Sequence, residues 1–406
     1  MAATADVPEH QPYFPDIDFG TDDVPDFHDR MDRLRNEDKR VVPVRYFNQT
    51  AWLILRHDDV RQAYRDVEHF PCSEAYKRHS APAMGDKILL CLEGEEHRIK
   101  RLLLSREFLP QKIPPLADRL IRPLADELID AFGDERQLDL VARFTRPLPM
   151  YLTTRLLGLP DGDGRQLIAW VEGLFSWNTD QARTLKARQE VTDFLLPFIH
   201  ARRRQPKDDL LSLLVTCQVE GQHLSDEDIL CFARLLFPAG SDTTYLTMGS
   251  MMNAVLSDPA LRQRLIDEPE LQARAVEESL RLFGTIALQN RYTVSGCELH
   301  GVRIPPNSWV LFGNAPGNHD PAVYANPHRF DLDRNAKNIM TFGGGPHVCI
   351  GAHLARGTLG VALSRLLARL TGLRLVGSPQ SPTGALLRGV RYLPVAFDEV
   401  LPAGAV

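Results

Sequence analysis

The sequence predicts a mainly α-helical, single-domain protein with minor β sheets. From Glu95 to about Ala275, Leu, Ile and Val recur at helical spacing in nearly every segment, with Asp or Pro at the starts. Strand-like runs occur near the beginning of the chain and return only after Phe283, so the small sheet needs both ends of the chain. No internal repeat, low-complexity tract or linker divides the 406 residues. Residues 1–20 are set apart as an N-terminal arm, and 21–406 are read as one domain.

The arm, "MAATADVPEHQPYFPDIDFG", is acidic and contains prolines. It has neither a basic n-region nor an apolar h-region, which excludes a signal peptide or anchor and leaves a loose surface segment. Asp26–Asp38 has a helical pattern, "VVPVRYF" and "AWLIL" read as two strands, and "HDDVRQAYRDV" opens a helix on acidic residues. The clearest helices are "DDLLSLLVTC" and "SDEDILCFARLLFPAGSDTTYLTMGSMMNAVL". The second carries a fault. Pro238 cannot bond the carbonyl of Arg234, Gly240 softens the backbone, and Thr243 and Thr244 can bond back to main-chain carbonyls, so a kink is expected. Leu235, Ala239, Asp242, Thr243 and Leu246 share one face, which is greasy, then open, then acid and alcohol. Strand signals return in "ALQNRYTV", "CELHGVRIP" and "SWVLFG". A polar stretch, "HDPAVYANPHRFDLDRNAKN", follows, and "GAHLARGTLGVALSRLLARL" is the last helix.

The chain is 44% hydrophobic and 25% charged, ordinary for a globular protein, and its net charge of −6 makes no case for nucleic acid as a partner. No apolar run approaches the roughly 20 residues of a membrane helix. The six cysteines are scattered without CxxC pairs, which argues against a disulfide framework and suits a reducing cytoplasm.

Chemistry concentrates in "FGGGPHVCIGAHLAR", Phe342–Arg356. A glycine run costs backbone entropy, so it belongs where the chain turns sharply or lets something approach closely, and Cys349 sits on that turn. "EESLR" places Glu278 and Arg281 at i, i+3, where carboxylate and guanidinium can pair. "EEHRIKR" places His97 and Arg101 at i, i+4, two donors able to hold anionic oxygens together.

In this order, the pieces resemble the cytochrome P450 family of haem-thiolate monooxygenases. The FxxGxHxCxG pattern is met by Phe342, Gly345, His347, Cys349 and Gly351, beside the ExxR pair, the AGxDTT segment Ala239–Thr244 and the HxxxR helix. The resemblance implies a triangular helical prism, with haem b between a long distal helix and the Cys-bearing loop. It makes Cys349 the axial ligand of the haem iron, with Phe342, Gly343, Gly351 and Ala239 around the haem. His97, Arg101, Arg291 and His347 match the positions that hold the haem carboxylates. Glu278, Arg281 and Arg329 are expected to form the charge network behind the loop, with Arg334 close by as the alternative third member. Asp242 and Thr243 match the acid–alcohol pair that relays protons during O2 activation. Pro238 departs from the aliphatic residue common at its position.

Leu235, Ala239, Ile286, Ala287, Leu288, Leu386 and Leu387 are the implied substrate pocket, suited to a hydrophobic terpenoid, steroid, aromatic or macrocyclic molecule. Tyr76, Lys77 and Arg78 fall in the capping region, either as substrate contacts or as a solvated turn. No fused redox segment is recognisable, so electrons are expected from a separate ferredoxin and its reductase. Arg98, Lys100, Arg106 and Arg356 would form the basic docking patch. Two rival readings are a haem-binding or sensor protein without turnover, and a zinc protein using His347, Cys349 and His353.

Overall fold

Apolar residues at helical spacing fold as helices throughout the middle of the chain, with Gly94–Leu104, Pro147–Leu156, Gln181–Arg204, Asp226–Ser257 and Gln272–Phe283 as the main ones. The computed structural model describes residues 11–381 and 384–405. Its largest sheet has four strands in the order Val41–Tyr46, Gln49–Ile54, Ser308–Gly313, Leu288–Thr293. The first two form an antiparallel hairpin, Gln49–Ile54 runs parallel to Ser308–Gly313, and Leu288–Thr293 closes the far edge antiparallel. The hairpin turns through Phe47 and Asn48, both at positive φ, which matches the right-handed twist of the strands it joins. The sheet therefore ties the two ends of the chain together, as the strand signals predict.

The long helix begins with a reciprocal cap. The Asp228 N–H donates to the Ser225 hydroxyl at 3.2 Å, and the Ser225 N–H donates to the Asp228 carboxylate at 2.9 Å. It then runs 32 residues to Ser257. Its N-terminal half packs Ile229, Phe232 and Phe237 into a core shared with Leu195 and Ile199, while Met248, Met251 and Val255 pack with Leu359 and Leu363 of the helix Ala352–Arg369. Between those halves, Ala239, Gly240, Asp242, Thr243, Thr244 and Thr247 face a cavity. The helix runs unbroken through Pro238, where buried packing on both sides supports it. The local perturbation shows at Thr243, whose hydroxyl donates to the Ala239 carbonyl at 2.7 Å.

The arm is not loose where it is described. Phe14 and Phe19 are buried, and the Asp18 carboxylate accepts from the N–H groups of Gly20, Phe47 and Asn48. Capping the hairpin turn in this way fixes the arm to the sheet. Residues 1–10 of the arm lie outside the described residues. Among the described residues, no helix is long and apolar enough to cross a membrane.

Candidate active site

The glycines before Cys349 are required by geometry. Gly343 and Gly345 have φ of 69° and 64°, and a Cβ on Gly345 would sit 2.1 Å from the Tyr64 carbonyl oxygen. This turn lets the Cys349 N–H donate to the Phe342 carbonyl at 2.9 Å and leaves the thiol facing a cavity. Burial pushes the Cys349 thiol up, opposed by the Gly351 N–H and by the charges of Arg101 and Arg356. Gly351 also caps the final helix, so the sulfur lies at a helix N-terminus, where a thiolate is favoured. The Arg356 guanidinium lies 4.6 Å from the Phe342 ring centroid, which holds that ring beside the loop.

On one flank of the cavity, cationic and hydrogen-bonding groups gather without enough partners. His97 Nε2 and His347 Nδ1 are buried and unpaired, and their rings lie 4.0 Å apart. Burial, then His347 and Arg101, lower His97 to about 4, so it is a neutral donor. Burial opposes charge on His347, but Cys72 and Glu93 outweigh it and raise it to about 9. The Glu93 carboxylate lies 3.2 Å from His347 Nε2. Arg291 is buried, and its hydrogen bond goes to the Asn290 carbonyl at 2.9 Å rather than to a carboxylate. Arg101 donates to the Val348 carbonyl at 2.6 Å. Buried cations and orphaned imidazole nitrogens call for anionic partners. A haem, with two carboxylates on one edge and a metal for Cys349, fits this donor set.

The cavity measures about 460 Å³. Cys349 lines it, and so do Ala239, Gly240, Asp242 and Thr243 of the long helix. Burial pushes the Asp242 carboxyl up to about 6, opposed by Arg146 and Arg391. Asp242 makes no hydrogen bond or ion pair among the described residues, so its proton is free to exchange. Towards the surface, Arg146 and Arg183 both bind Glu172 at 2.8 Å. Leu235, Ile286, Leu288, Leu386 and Leu387 also line the cavity, whereas Ala287 does not. Successive residues of an extended segment point to opposite sides, and Ala287 is fully buried in the core with Trp309 and Ala315. Residues 286 and 287 pair with 386 and 387, which brings the distant C-terminal leucines to the wall.

Sequence reasoning missed Thr285. Its hydroxyl donates to the Thr243 carbonyl at 3.0 Å and lies 3.0 Å from the Thr247 hydroxyl, bracing the helix beside the relay pair. No spacing rule marks it. Tyr76 lines the cavity and accepts from Gln289 at 3.1 Å, while Arg78 binds Glu74 and stacks 4.0 Å from the Tyr292 centroid. Lys77 is exposed.

The charge network differs from expectation in one member. Arg281 grips both oxygens of Glu278 at 2.7 and 2.8 Å, with both residues almost fully buried. The third side chain is that of Arg334, whose Nε donates to Glu278 at 2.9 Å. Arg329 supplies only its carbonyl, which accepts from Arg281 at 3.3 Å, and its side chain is exposed. The turn around Asp331 directs the later arginine inward.

The expected docking patch is largely neutralised. Arg98 is bound by Glu95 and Glu220, Lys100 by Glu96 and Asp228, and Arg356 by Glu277. Only Arg106 of the four is exposed without an ion pair among the described residues. A hollow on the thiolate side is lined by Arg356 but not by Arg98, Lys100 or Arg106. The zinc reading finds no support, because His347, Cys349 and His353 do not gather as a ligand set among the described residues.

The cytochrome P450 family profile matches residues 163–382. The chain is 34% identical over 360 residues to the mycinamicin IV hydroxylase/epoxidase of Micromonospora griseorubida, covering 86% of this chain and 90% of that one. It is 30% identical over 381 residues to the 6-deoxyerythronolide B hydroxylase of Saccharopolyspora erythraea, covering 88% and 93%. The solved structure of cytochrome P450 TbtJ1, ligand-free, superposes with a TM-score of 0.81 at 32% identity, covering 91% of this chain and 96% of that one.

Proposed function

The chain belongs to the cytochrome P450 family and is a haem-dependent monooxygenase, and we propose that it acts on a natural product of macrocyclic, largely apolar character. The observation that carries the site reading is that Cys349 and the Asp242–Thr243 pair line one largely apolar cavity. Two relatives at 30% identity or more act, by name, on mycinamicin IV and 6-deoxyerythronolide B, which supports the macrocyclic class.

The haem, when bound, activates O2 so that one oxygen atom enters a substrate C–H or C=C bond, and thiolate donation favours O–O cleavage. Cys349 would be its ligand with the Gly351 N–H tempering the sulfur, and His97, Arg101, Arg291 and His347 would hold the carboxylates. Asp242, pushed up to about 6, accepts a proton from the Arg146–Glu172–Arg183 side and passes it toward the Thr243 hydroxyl. Thr243 Oγ1 is anchored to the Ala239 carbonyl and keeps lone pairs free to accept from a water in the cavity. Ile286, Leu288, Leu386 and Leu387 exclude bulk water and orient the substrate.

Electrons come from a separate ferredoxin, docking at the thiolate-side hollow through exposed Val348 and Leu109 with Lys337 in its lining, while Arg106, exposed and without an ion pair among the described residues, adds charge from outside the hollow. A reducing cytoplasm suits the six free cysteines. Titrating the haem-loaded ferric protein with macrolactones, steroids and monoterpenes tests the substrate class. Loss of the water ligand at micromolar macrolactone is expected, and a response confined to monoterpenes refutes it. In the turnover assay, Thr243→Ala is expected to retain binding but to divert reductant into hydrogen peroxide. Wild-type product per reductant in that variant would rule out the relay.

A further inference from the structure

Away from the cavity, three histidines from distant parts of the chain converge. His28 lies in the first helix, Phe27–Asn36; His319 directly follows the short helix Asn314–Asn318; His328 belongs to the polar stretch beyond it. The rings of His28 and His319 lie 4.3 Å apart, those of His319 and His328 5.0 Å, and those of His28 and His328 6.0 Å. One ligand nitrogen from each lies within 4.8 Å of the other two. We propose that His28, His319 and His328 form a binding site for a divalent transition metal, zinc above all, separate from the haem.

The hydrogen bonds around the cluster leave one nitrogen of each ring for a metal. His319 Nδ1 lies 2.9 Å from the Ala315 carbonyl, which makes it the N–H and leaves Nε2 with its lone pair. His328 Nε2 lies 2.7 Å from Asp32 Oδ2, which leaves Nδ1. His28 Nδ1 is buried and has no partner at all. A carbonyl behind one imidazole and a carboxylate behind another are the partners that orient metal-binding histidines and raise their basicity. Burial, then Arg388 and His328, lower His28 to about 4, and burial and His28 hold His319 well below the usual range. Both rings are therefore neutral near pH 7, as ligation requires.

Tetrahedral zinc with bonds of about 2.0–2.1 Å places its ligand nitrogens about 3.3 Å apart. Small rotations of three imidazoles close that gap. His328 is exposed, so the fourth position opens to water. Asp32 supplies negative charge, while Arg35, Arg388 and Arg281 lie within electrostatic reach and weaken the attraction for a cation.

The placement gives the metal a structural task. The Pro327 and Arg329 carbonyls on either side of His328 accept from Arg281, and the Asn318 carbonyl beside His319 does so too. A metal here would pin the first helix to the segment that carries the Glu278 network.

The test uses tag-free, haem-loaded protein, in which Cys349 is already occupied, stripped with a chelator and titrated with zinc chloride. One zinc per chain at micromolar Kd is expected, with an X-ray absorption spectrum showing three imidazoles and one oxygen. At free zinc 100-fold above Kd, Tm is expected to rise by about 3 °C. His28→Gln and His328→Gln are each expected to weaken binding at least tenfold, and Asp32→Asn about tenfold or more. Unchanged affinity in both histidine variants, or a spectrum with sulfur ligands or without imidazole, overturns the proposal. Should a variant lose its fold, the wild-type spectrum alone decides by its imidazole count.

Discussion

Replacing Asp242 by Asn separates the cost of the buried carboxylate from its use. Burial raises this carboxyl from an ordinary value near 3.8 to about 6, so the folded protein holds its proton more tightly than the unfolded chain. Between those values the folded state binds more protons, and stability falls as pH rises. The penalty fades below about pH 3 and is complete above about pH 7, where it reaches about 3 kcal/mol. Asn carries no charge to desolvate, so the variant is expected to be more stable than wild type by up to about 3 kcal/mol at pH 7.5. For a chain of 406 residues this is about 3 °C in Tm. At pH 4.5 the difference should shrink to about 1 kcal/mol. Product formation should move the other way and fall about 10²–10⁴-fold, the usual contribution of a positioned acid–base group. Thermal melts of the haem-loaded protein at both pH values, with product and reductant measured in parallel, give both quantities. A variant that is less stable at pH 7.5, or equally stabilised at both pH values, refutes the burial argument. Activity within tenfold of wild type refutes the relay.

The charge network and the docking surface give further tests. Arg334→Ala leaves Glu278 with Arg281 as its one charged partner and removes bonds to the Ala325 and Asn326 carbonyls; it should cost about 3 kcal/mol and weaken haem retention. Arg329→Ala keeps the accepting carbonyl and should change stability by less than about 0.5 kcal/mol, so equal effects in denaturant melts contradict the assignment. For electron delivery, Arg98→Glu should leave ferredoxin reduction rates within about twofold, because Glu95 and Glu220 already neutralise it. Arg106→Glu should slow reduction in low salt and lose its effect at high salt. The reverse ranking in stopped-flow measurements would return the patch to the residues that spacing alone suggests.

Much of this protein is legible in its sequence because much of it is local. Helical periodicity depends on neighbours a turn apart, so the long helix and the helix after Cys349 stand where their spacing puts them. The glycines at 343 and 345 announce a turn because only their backbone tolerates its φ, and Glu278–Arg281 announces a pair because three residues is one helical turn. Which charge meets which across the fold is not written in spacing. In one dimension Arg329 is the expected member and Arg334 its alternative, and a bend at Asp331 selects the second. Arg98, Lys100 and Arg356 read as a basic patch until the fold brings Glu220, Asp228 and Glu277 to them. Ala287 faces the core while both its neighbours line the cavity, and Pro238 leaves the long helix unbroken because buried packing outweighs one missing hydrogen bond. The three histidines are invisible to any motif, since one comes from the first helix and two from the far end of the chain. Local geometry is encoded by residues near in sequence, but electrostatic partners and metal ligands are set by distance in space, which only the packed chain defines.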